Sequence, residues 1–217
     1  LMALVSVNMI EDLLCTVGLF GTLFLIIFRH IKRVRTNLNV GLNNLAIHHG
    51  FQINPNHGWN GTVMAGMIGS YRCTIWFETV RRRSRRNRSK IYMHSTITLN
   101  SPNELGLLIT PQGFLTEGFR LPDSLTGDQD IIIGNQMFDS MYRIKGFDEN
   151  AIRIFLNPQR LQAILHIQQS LGPLQHLTIN DQQVSVRFPG LISDMSVVSN
   201  ATMLIAWLAE QLDSSHQ

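Results

Sequence analysis

Charge is the first thing this chain is short of. Only 15% of its 217 residues are Asp, Glu, Lys or Arg, against about a quarter in ordinary globular domains. With 44% hydrophobic residues, a disordered chain is excluded. The length suffices for one sizeable core or at most two small domains. Cysteine is nearly absent: Cys15 and Cys73 are the two in the sequence. Cys15 lies in an apolar run and Cys73 in a strand-like stretch, so a disulfide framework is excluded, and the usage suits a reducing compartment. Phosphate-cradling and hydrolase signatures are missing too. There is no G-x-x-x-x-G-K-[ST], no G-x-S-x-G and no H-E-x-x-H, which removes the P-loop, the nucleophile elbow and the helical zinc site. Gly61, Gly66 and Gly69 form only a glycine-spaced strand edge, not a dinucleotide fingerprint.

The basic residues are unevenly placed. Arg29, Lys32, Arg33 and Arg35 form one run, and Arg81, Arg82, Arg83, Arg85, Arg86, Arg88 and Lys90 another. Outside these runs the chain has 7 basic residues against 15 acidic. The basicity is therefore local, unlike that of a globally basic nucleic-acid binder.

Leu13 to Phe28 carries no charge over 16 residues, and Arg29-His30-Ile31 extends it to 19. Glu11 and Asp12 precede it and the first basic run follows. This reads as a membrane anchor over residues 1–35, helical from about 13 to 31, with a basic stop. The positive-inside rule then places the N-terminus outside and residues 36–217 on the cytoplasmic face of the cell membrane. A cleaved signal peptide would want its positive charge before the apolar run and small residues after it.

Residues 36–217 read as a single α+β domain. Leu38, Leu42, Leu45 and Ile47 have helical spacing, and Gly50 supplies a C-cap. Phe51 to Trp59 reads as a linker. Thr62–Ile68 and Tyr71–Val80 read as strands, the second with Cys73, Ile75 and Phe77 on one face and Thr74, Trp76 and Glu78 on the other. Ile91, Met93, Ser95, Ile97 and Leu99 alternate again, making a hairpin with the second basic run at its tip. Short strands are expected at Leu105–Thr110, Ile131–Ile133 and Met141–Lys145, and a short helix at Asp148–Leu156. Asn157-Pro158 opens a helix that Gly172-Pro173 ends. Leu177, Ile179, Val184, Val186 and Phe188 flank Asn180-Asp181-Gln182 as a hairpin. Asp194 caps a last helix bearing Val197, Ala201, Leu204, Ile205, Leu208 and Leu212. Strands in runs, with helices apart from them, predict an antiparallel sheet with packed helices.

Nothing local carries catalysis. His48, His49 and His57 lie close in sequence, but adjacent helical residues face different ways and make poor chelators. Glu117, Asp123, Asp128 and Asp130 crowd one irregular stretch without the D-x-[DN]-x-[DN]-G calcium pattern. No cofactor and no metal is expected. The arginine run Arg81–Lys90 is the candidate binding element, for anionic lipid headgroups or an acidic protein. No aromatic interleaves it, which disfavours nucleic acid, and as a solvated tip it would simply keep the hairpin edge from aggregating.

The Leu45…Gly50 helix end, the Gly61, Gly66, Gly69 strand entry, Phe138-Asp139, Gly146-Phe147-Asp148 and Leu156-Asn157-Pro158 together resemble bacterial single-pass membrane proteins of unknown function. The resemblance implies an anchor followed by a compact α+β domain, and no activity or site. The function expected from the sequence is a non-catalytic interaction or scaffold module. The alternative is a membrane-bound enzyme with a dispersed active site, or a lipid or nucleic-acid adaptor using 81–90.

Overall fold

The computed structural model describes residues 2–55, 60–81, 89–112, 131–172, 175–190, 192 and 194–213. The chain divides into two units, Leu1–Gly41 and Leu42–Gln217. The first is wholly helical over its described residues, as part of a single helix, α1 (Met2–His49).

The anchor expectation is overturned here. Among the described residues, no helix is long and apolar enough to cross a membrane. The uncharged run Leu13–Phe28 has 16 residues. At about 1.5 Å per residue it reaches about 24 Å, short of a hydrocarbon core about 30 Å thick. Thr16, Gly18, Gly21 and Thr22 dilute it further. The helix does not stop at the basic cluster either, but runs through Arg29, Lys32, Arg33 and Arg35 to His49. The single-pass topology, the cell-membrane localisation and the outside-to-cytoplasm orientation fall with the anchor.

The second unit is an α+β fold built on one sheet, as the strand alternation predicts. Its strands are β1 (Gln52–Ile53), β2 (Gly61–Ile68), β3 (Tyr71–Arg81), β4 (Ser89–Thr98), β5 (Leu108–Pro111), β6 (Tyr142–Lys145), β7 (His176–Asn180) and β8 (Gln183–Pro189). They lie in the order β1-β2-β3-β4-β8-β7-β5-β6, and every named pair is antiparallel. The expected 71–99 hairpin is present, with Arg81 paired to Ser89 at its far end. Residues 82–88, between those two, lie outside the described residues. Ile131–Ile133 forms no strand, although the Ile131 amide donates to the Ile144 carbonyl at 2.9 Å. The supposed linker contains β1, and the sequence reading missed helix α2 (Gln136–Met141). That six-residue helix is set by its ends. Asn135 accepts from the Phe138 amide, and the Asp139 carboxylate accepts from the Ile133 and Gly134 amides.

Capping fixes the other helices much as expected. Asp148 accepts from the Asn150 and Ala151 amides to open α3 (Glu149–Phe155). Asn157 accepts from the Arg160 amide to open α4 (Pro158–Leu171), which ends at Gly172 with φ 82°. Asp194 accepts from the Ser196 amide at the start of α5 (Met195–Asp213).

One sheet face forms the core. Phe77, Met93 and Phe188 make one cross-strand row. Cys73, Ile97, Val184, Ile179, Ile109 and Ile144 make another that reaches β6. Helix α5 lies on this face over β3, β4 and β8, and α4 packs against α5. Val198, Ala201, Ile205, Leu208 and Leu212 are buried there. A polar contact crosses this interface, where Ser95 and Thr202 hydroxyls meet at 2.8 Å. Burial pushes the Cys73 thiol up to about 12, against a smaller opposing hydrogen bond to Ser95, so it is an inert core group.

The last turns of α1 belong to this unit. Leu42 and Leu45 are buried as their spacing predicts, whereas Ile47 is exposed. His49 Nε2 meets Ser199 Oγ of α5 at 2.7 Å. The chain then turns at Gly50, φ 68°, and lays Phe51 across Gly66 of β2, where any Cβ would strike the phenyl ring. That is the physical reason for a glycine inside this strand. Gly66→Ala is therefore expected to displace Phe51 and cost about 1–3 kcal/mol, read as a lower urea midpoint. Phe51→Leu in the same chain should recover part of the loss, and an additive double variant would refute the contact.

Candidate functional site

The opposite face of the sheet is polar. Strand alternation that sends Ile75, Ser95 and Val186 inward sends Trp76, His94 and Arg187 outward. The register aligns Trp76 with His94, His94 with Arg187, and Arg187 with His176. Four adjacent strands, β3, β4, β8 and β7, thus present one transverse row of an indole, two imidazoles and a guanidinium. The next row is Thr74, Thr96, Ser185 and Thr178. These residues enclose a cavity of about 190 Å³ lined by Trp76, His94, Thr178, Ser185 and Arg187, with Asn180 and Gln183 at the β7–β8 turn.

Two members of the row are deeply placed, His94 and Arg187 at 5% exposed each, while His176 is half-buried. His94 stacks on Trp76, with ring centroids 4.0 Å apart and planes 12° from parallel. Its Nε2 lies 3.0 Å from a Glu78 carboxylate oxygen. Burial lowers the His94 pKa, with the Glu78 contacts opposing and Arg187 adding to the lowering. The hydrogen bond from His94 holds the Glu78 carboxyl below its ordinary range, helped by the charge of Arg187. An ionised carboxylate only accepts, so Nε2 is the nitrogen that carries the imidazole proton.

Arg187 places its guanidinium 3.5 Å from the centre of the Tyr92 ring, in the geometry of a cation–π contact, and its Nη2 lies 3.9 Å from Glu78. On its other side His176 is also held below the ordinary imidazole range, first by burial and then by Arg187. The hydroxyls beneath are chained together. Trp76 Nε1 donates to Thr96 Oγ1 at 3.2 Å, and Thr96 meets Ser185 Oγ at 2.9 Å.

The turn that closes the cavity is itself held by hydrogen bonds. Asn180 Oδ1 accepts from the Gln182 and Gln183 amides. Asp181 accepts from the Gly106 amide at 2.7 Å and the Leu107 amide at 3.0 Å. The segment entering β5 is thereby tied to the β7–β8 hairpin.

This arrangement suits binding better than bond-breaking. Among the described residues the Ser185 hydroxyl pairs with Thr96, and the protonated nitrogen of His94 is engaged by Glu78, so no nucleophile sits on this imidazole as a base. The His49–Ser199 pair lies elsewhere, its imidazole stacked on Phe51 at 5.3 Å. No group of three or more His, Cys, Asp and Glu suited to a metal ion occurs among the described residues. Of the three histidines clustered in sequence, His48 and His49 meet edge to face at 4.6 Å, and His57 lies outside the described residues. So do Glu117, Asp123, Asp128 and Asp130.

Of the arginine run, Arg81 and Lys90 are described, and neither lines the cavity. Arg81 pairs with Ser89 and Lys90 with Val80 at the end of the hairpin, while Arg82, Arg83, Arg85, Arg86 and Arg88 lie outside the described residues. His94, Thr178, Ser185 and Arg187, lining residues the sequence reading missed, were visible as the outward halves of alternating strands. Their assembly depended on β4 pairing with β8, across some 90 residues of chain, for which no local signal exists.

The three lowered histidines, His49, His94 and His176, set the sign of a pH effect. Unfolding releases them to take up protons near their ordinary value of about 6.5. The unfolded chain then binds more protons than the folded one, and stability falls as pH drops below that value. Glu78 adds to the loss at lower pH, below the ordinary carboxylate range. A urea midpoint lower at pH 5 than at pH 7 is expected, with His94→Gln flattening the difference. A midpoint that rises on acidification would refute the assignment.

No family model matches the chain, and no curated protein matches it. Among solved structures it is similar to the mycobacterial trehalose monomycolate transport factor A, TtfA, at 9% identity and a TM-score of 0.47, with 81% of this chain and 94% of that chain covered. A likeness this distant carries no argument about function. The resemblance to a bacterial family therefore stands only as a loose one.

Proposed function

We propose that this protein is a non-catalytic binding module whose site is the polar face of its sheet. The observation that carries this reading is the row Trp76, His94, Arg187 and His176 across four strands, the first three of which line a cavity together with Ser185 and Thr178. Burying a guanidinium and an imidazole, with a second imidazole half-buried beside them, costs stability that an apolar face would not. A cluster of this kind beside a cavity suits the recognition of a ligand, since converging polar groups and one aromatic wall are what fix a small molecule's orientation. The site lies on rigid strands, so it is formed before the ligand arrives.

The test is thermal unfolding of the full chain against a library of small polar compounds. At least one class is expected to raise the melting temperature, since a ligand at 100 times its Kd adds about 2.7 kcal/mol. The rise should shrink in Gln183→Ala and Thr178→Val, neither of which touches the core face. Stabilisation that is identical in these variants would place the ligand elsewhere and sink the proposal.

A further inference from the structure

We infer that the ligand of the sheet-face cavity is uncharged and carries adjacent hydroxyl groups, as a single sugar ring does. The inference rests on the reading of that face as a binding site and names the chemistry the site takes.

The ionic groups around the cavity already answer one another. His94 Nε2 lies 3.0 Å from Glu78. Arg187 lies against the Tyr92 ring at 3.5 Å and has Nη2 at 3.9 Å from the same carboxylate. A charged ligand would have to shed its water for a cavity whose ions are engaged elsewhere.

The groups that remain are neutral. Strand alternation turns Thr178 and Asn180 of β7 and Gln183 and Ser185 of β8 to the cavity side, opposite the buried Leu177, Ile179, Val184 and Val186. Thr178 is the pointer to a ligand. It is 8% exposed, yet its hydroxyl meets no hydrogen-bond partner among the described residues. Such a group is costly to leave unmade, and beside a cavity a ligand can supply what it lacks. The Gln183 carboxamide and the Asn180 amide nitrogen have no partner among the described residues either, while Asn180 Oδ1 serves the turn.

Ser185 Oγ meets Thr96 at 2.9 Å, which leaves it further hydrogen-bonding capacity. Hydroxyls and carboxamides both donate and accept. A ligand hydroxyl does the same, whereas a carboxylate only accepts. Two neighbouring hydroxyls match the paired oxygen and nitrogen of a carboxamide. Trp76 supplies an apolar wall. Its N–H is taken by Thr96, so it offers carbon surface, which suits the C–H side of a sugar ring. At about 190 Å³ the space is below the ~300–1,000 Å³ of drug-sized sites. It admits one ring, free or at the end of a longer molecule.

The experiment is an NMR titration of the full chain, following the Trp76 indole N–H, assigned by Trp76→Phe. The probes are glucose, galactose, mannose and ribose, with succinate as an anion and tetrahydropyran as a ring without hydroxyls. At least one sugar is expected to give saturable shifts, and succinate and tetrahydropyran none. The dissociation constant should hold within about twofold from low to high salt, since no ion pair forms. Thr178→Val keeps the shape and removes the hydroxyl, and should weaken binding about fivefold or more. Thr178→Ser should retain most of the affinity. Sugar shifts unchanged in Thr178→Val, or matched by tetrahydropyran, would overturn the inference. Saturation by succinate alone would overturn it and leave the sheet-face site standing. No shift with any probe would also overturn it, and the sheet-face reading would then stand or fall on the melting-temperature screen with Gln183→Ala.

Discussion

Replacing Arg160 with methionine is expected to cost about 3 kcal/mol. Arg160 is 5% exposed, yet its charge is used on carbonyls. Nη1 donates to the Phe155 carbonyl at 2.8 Å, and Nη2 donates to the Leu212 carbonyl at 2.7 Å. These oxygens belong to the last turns of α3 and α5, where carbonyls have no partner within their own helix. A cation there also meets the negative ends of both helix dipoles. The guanidinium carbon lies 4.0 Å from the centre of the Phe155 ring. One side chain therefore fastens the ends of two helices that are 57 residues apart in sequence. Methionine would fill much of the volume and leave two buried acceptors unsatisfied, at about 1–3 kcal/mol each. In a unit of this size that is a fall in melting temperature of roughly 6–12 °C. Lysine, a point donor without the fork, should lose about half as much. A Met variant within about 0.5 kcal/mol of the parent would show that the carbonyls find water instead.

Asp181→Ala is the second large loss, expected at about 2–3 kcal/mol. Its carboxylate is the shared acceptor for two successive backbone amides, Gly106 at 2.7 Å and Leu107 at 3.0 Å, and its carbonyl accepts from the Asn103 amide. Hydrogen bonds to a charged acceptor contribute about 1.5–3 kcal/mol. Gly106 has φ 62° and a Phe147 ring where a Cβ would stand, so the strand entry cannot easily rearrange to find other partners. Asn at 181 offers a single carbonyl oxygen in place of two and should lose about half as much. Hydrogen exchange adds a local prediction: in Asp181→Ala the amides of Gly106 and Leu107 lose protection before those of β3 and β4. Equal protection in parent and variant would refute the role.

Much of this was legible in the sequence where the signal is local. Alternation at Tyr71–Val80 and Ile91–Leu99 marked β3, β4 and their two faces correctly, because burying one face of an antiparallel sheet imposes a period of two. Asn157-Pro158, Asp148 and Asp194 marked helix starts because capping acts within three residues. The short α2 was missed because six residues show no helical period, and what defines it is a pair of side-chain acceptors, Asn135 and Asp139. The apolar run at Leu13–Phe28 misled for a different reason. Its composition suits lipid, but the reach of 16 uncharged residues and the continuity of α1 to His49 do not make a spanning segment.

The candidate site was half visible. Trp76 and Glu78 were placed on the face opposite Cys73, Ile75 and Phe77, and Val184, Val186 and Phe188 implied that Ser185 and Arg187 point the other way. What no window of sequence contains is the register of β4 on β8 that brings His94 beside Arg187. The arginine run at 81–90 is conspicuous in one dimension through its charge density, and most of it lies outside the described residues. The single Arg187 is conspicuous only in three, where burial and two flanking histidines single it out.

The most direct test of the sheet face as a binding site is an NMR perturbation map of the full chain, using the compound that most raises its melting temperature. The account predicts shifts centred on Trp76, Thr178, Ser185 and Arg187, fading toward α5 on the other face of the sheet. Shifts centred instead on the groove between Glu104 and Ile154, a separate opening of about 470 Å³ beside α3, with the four cavity residues unmoved, would contradict it.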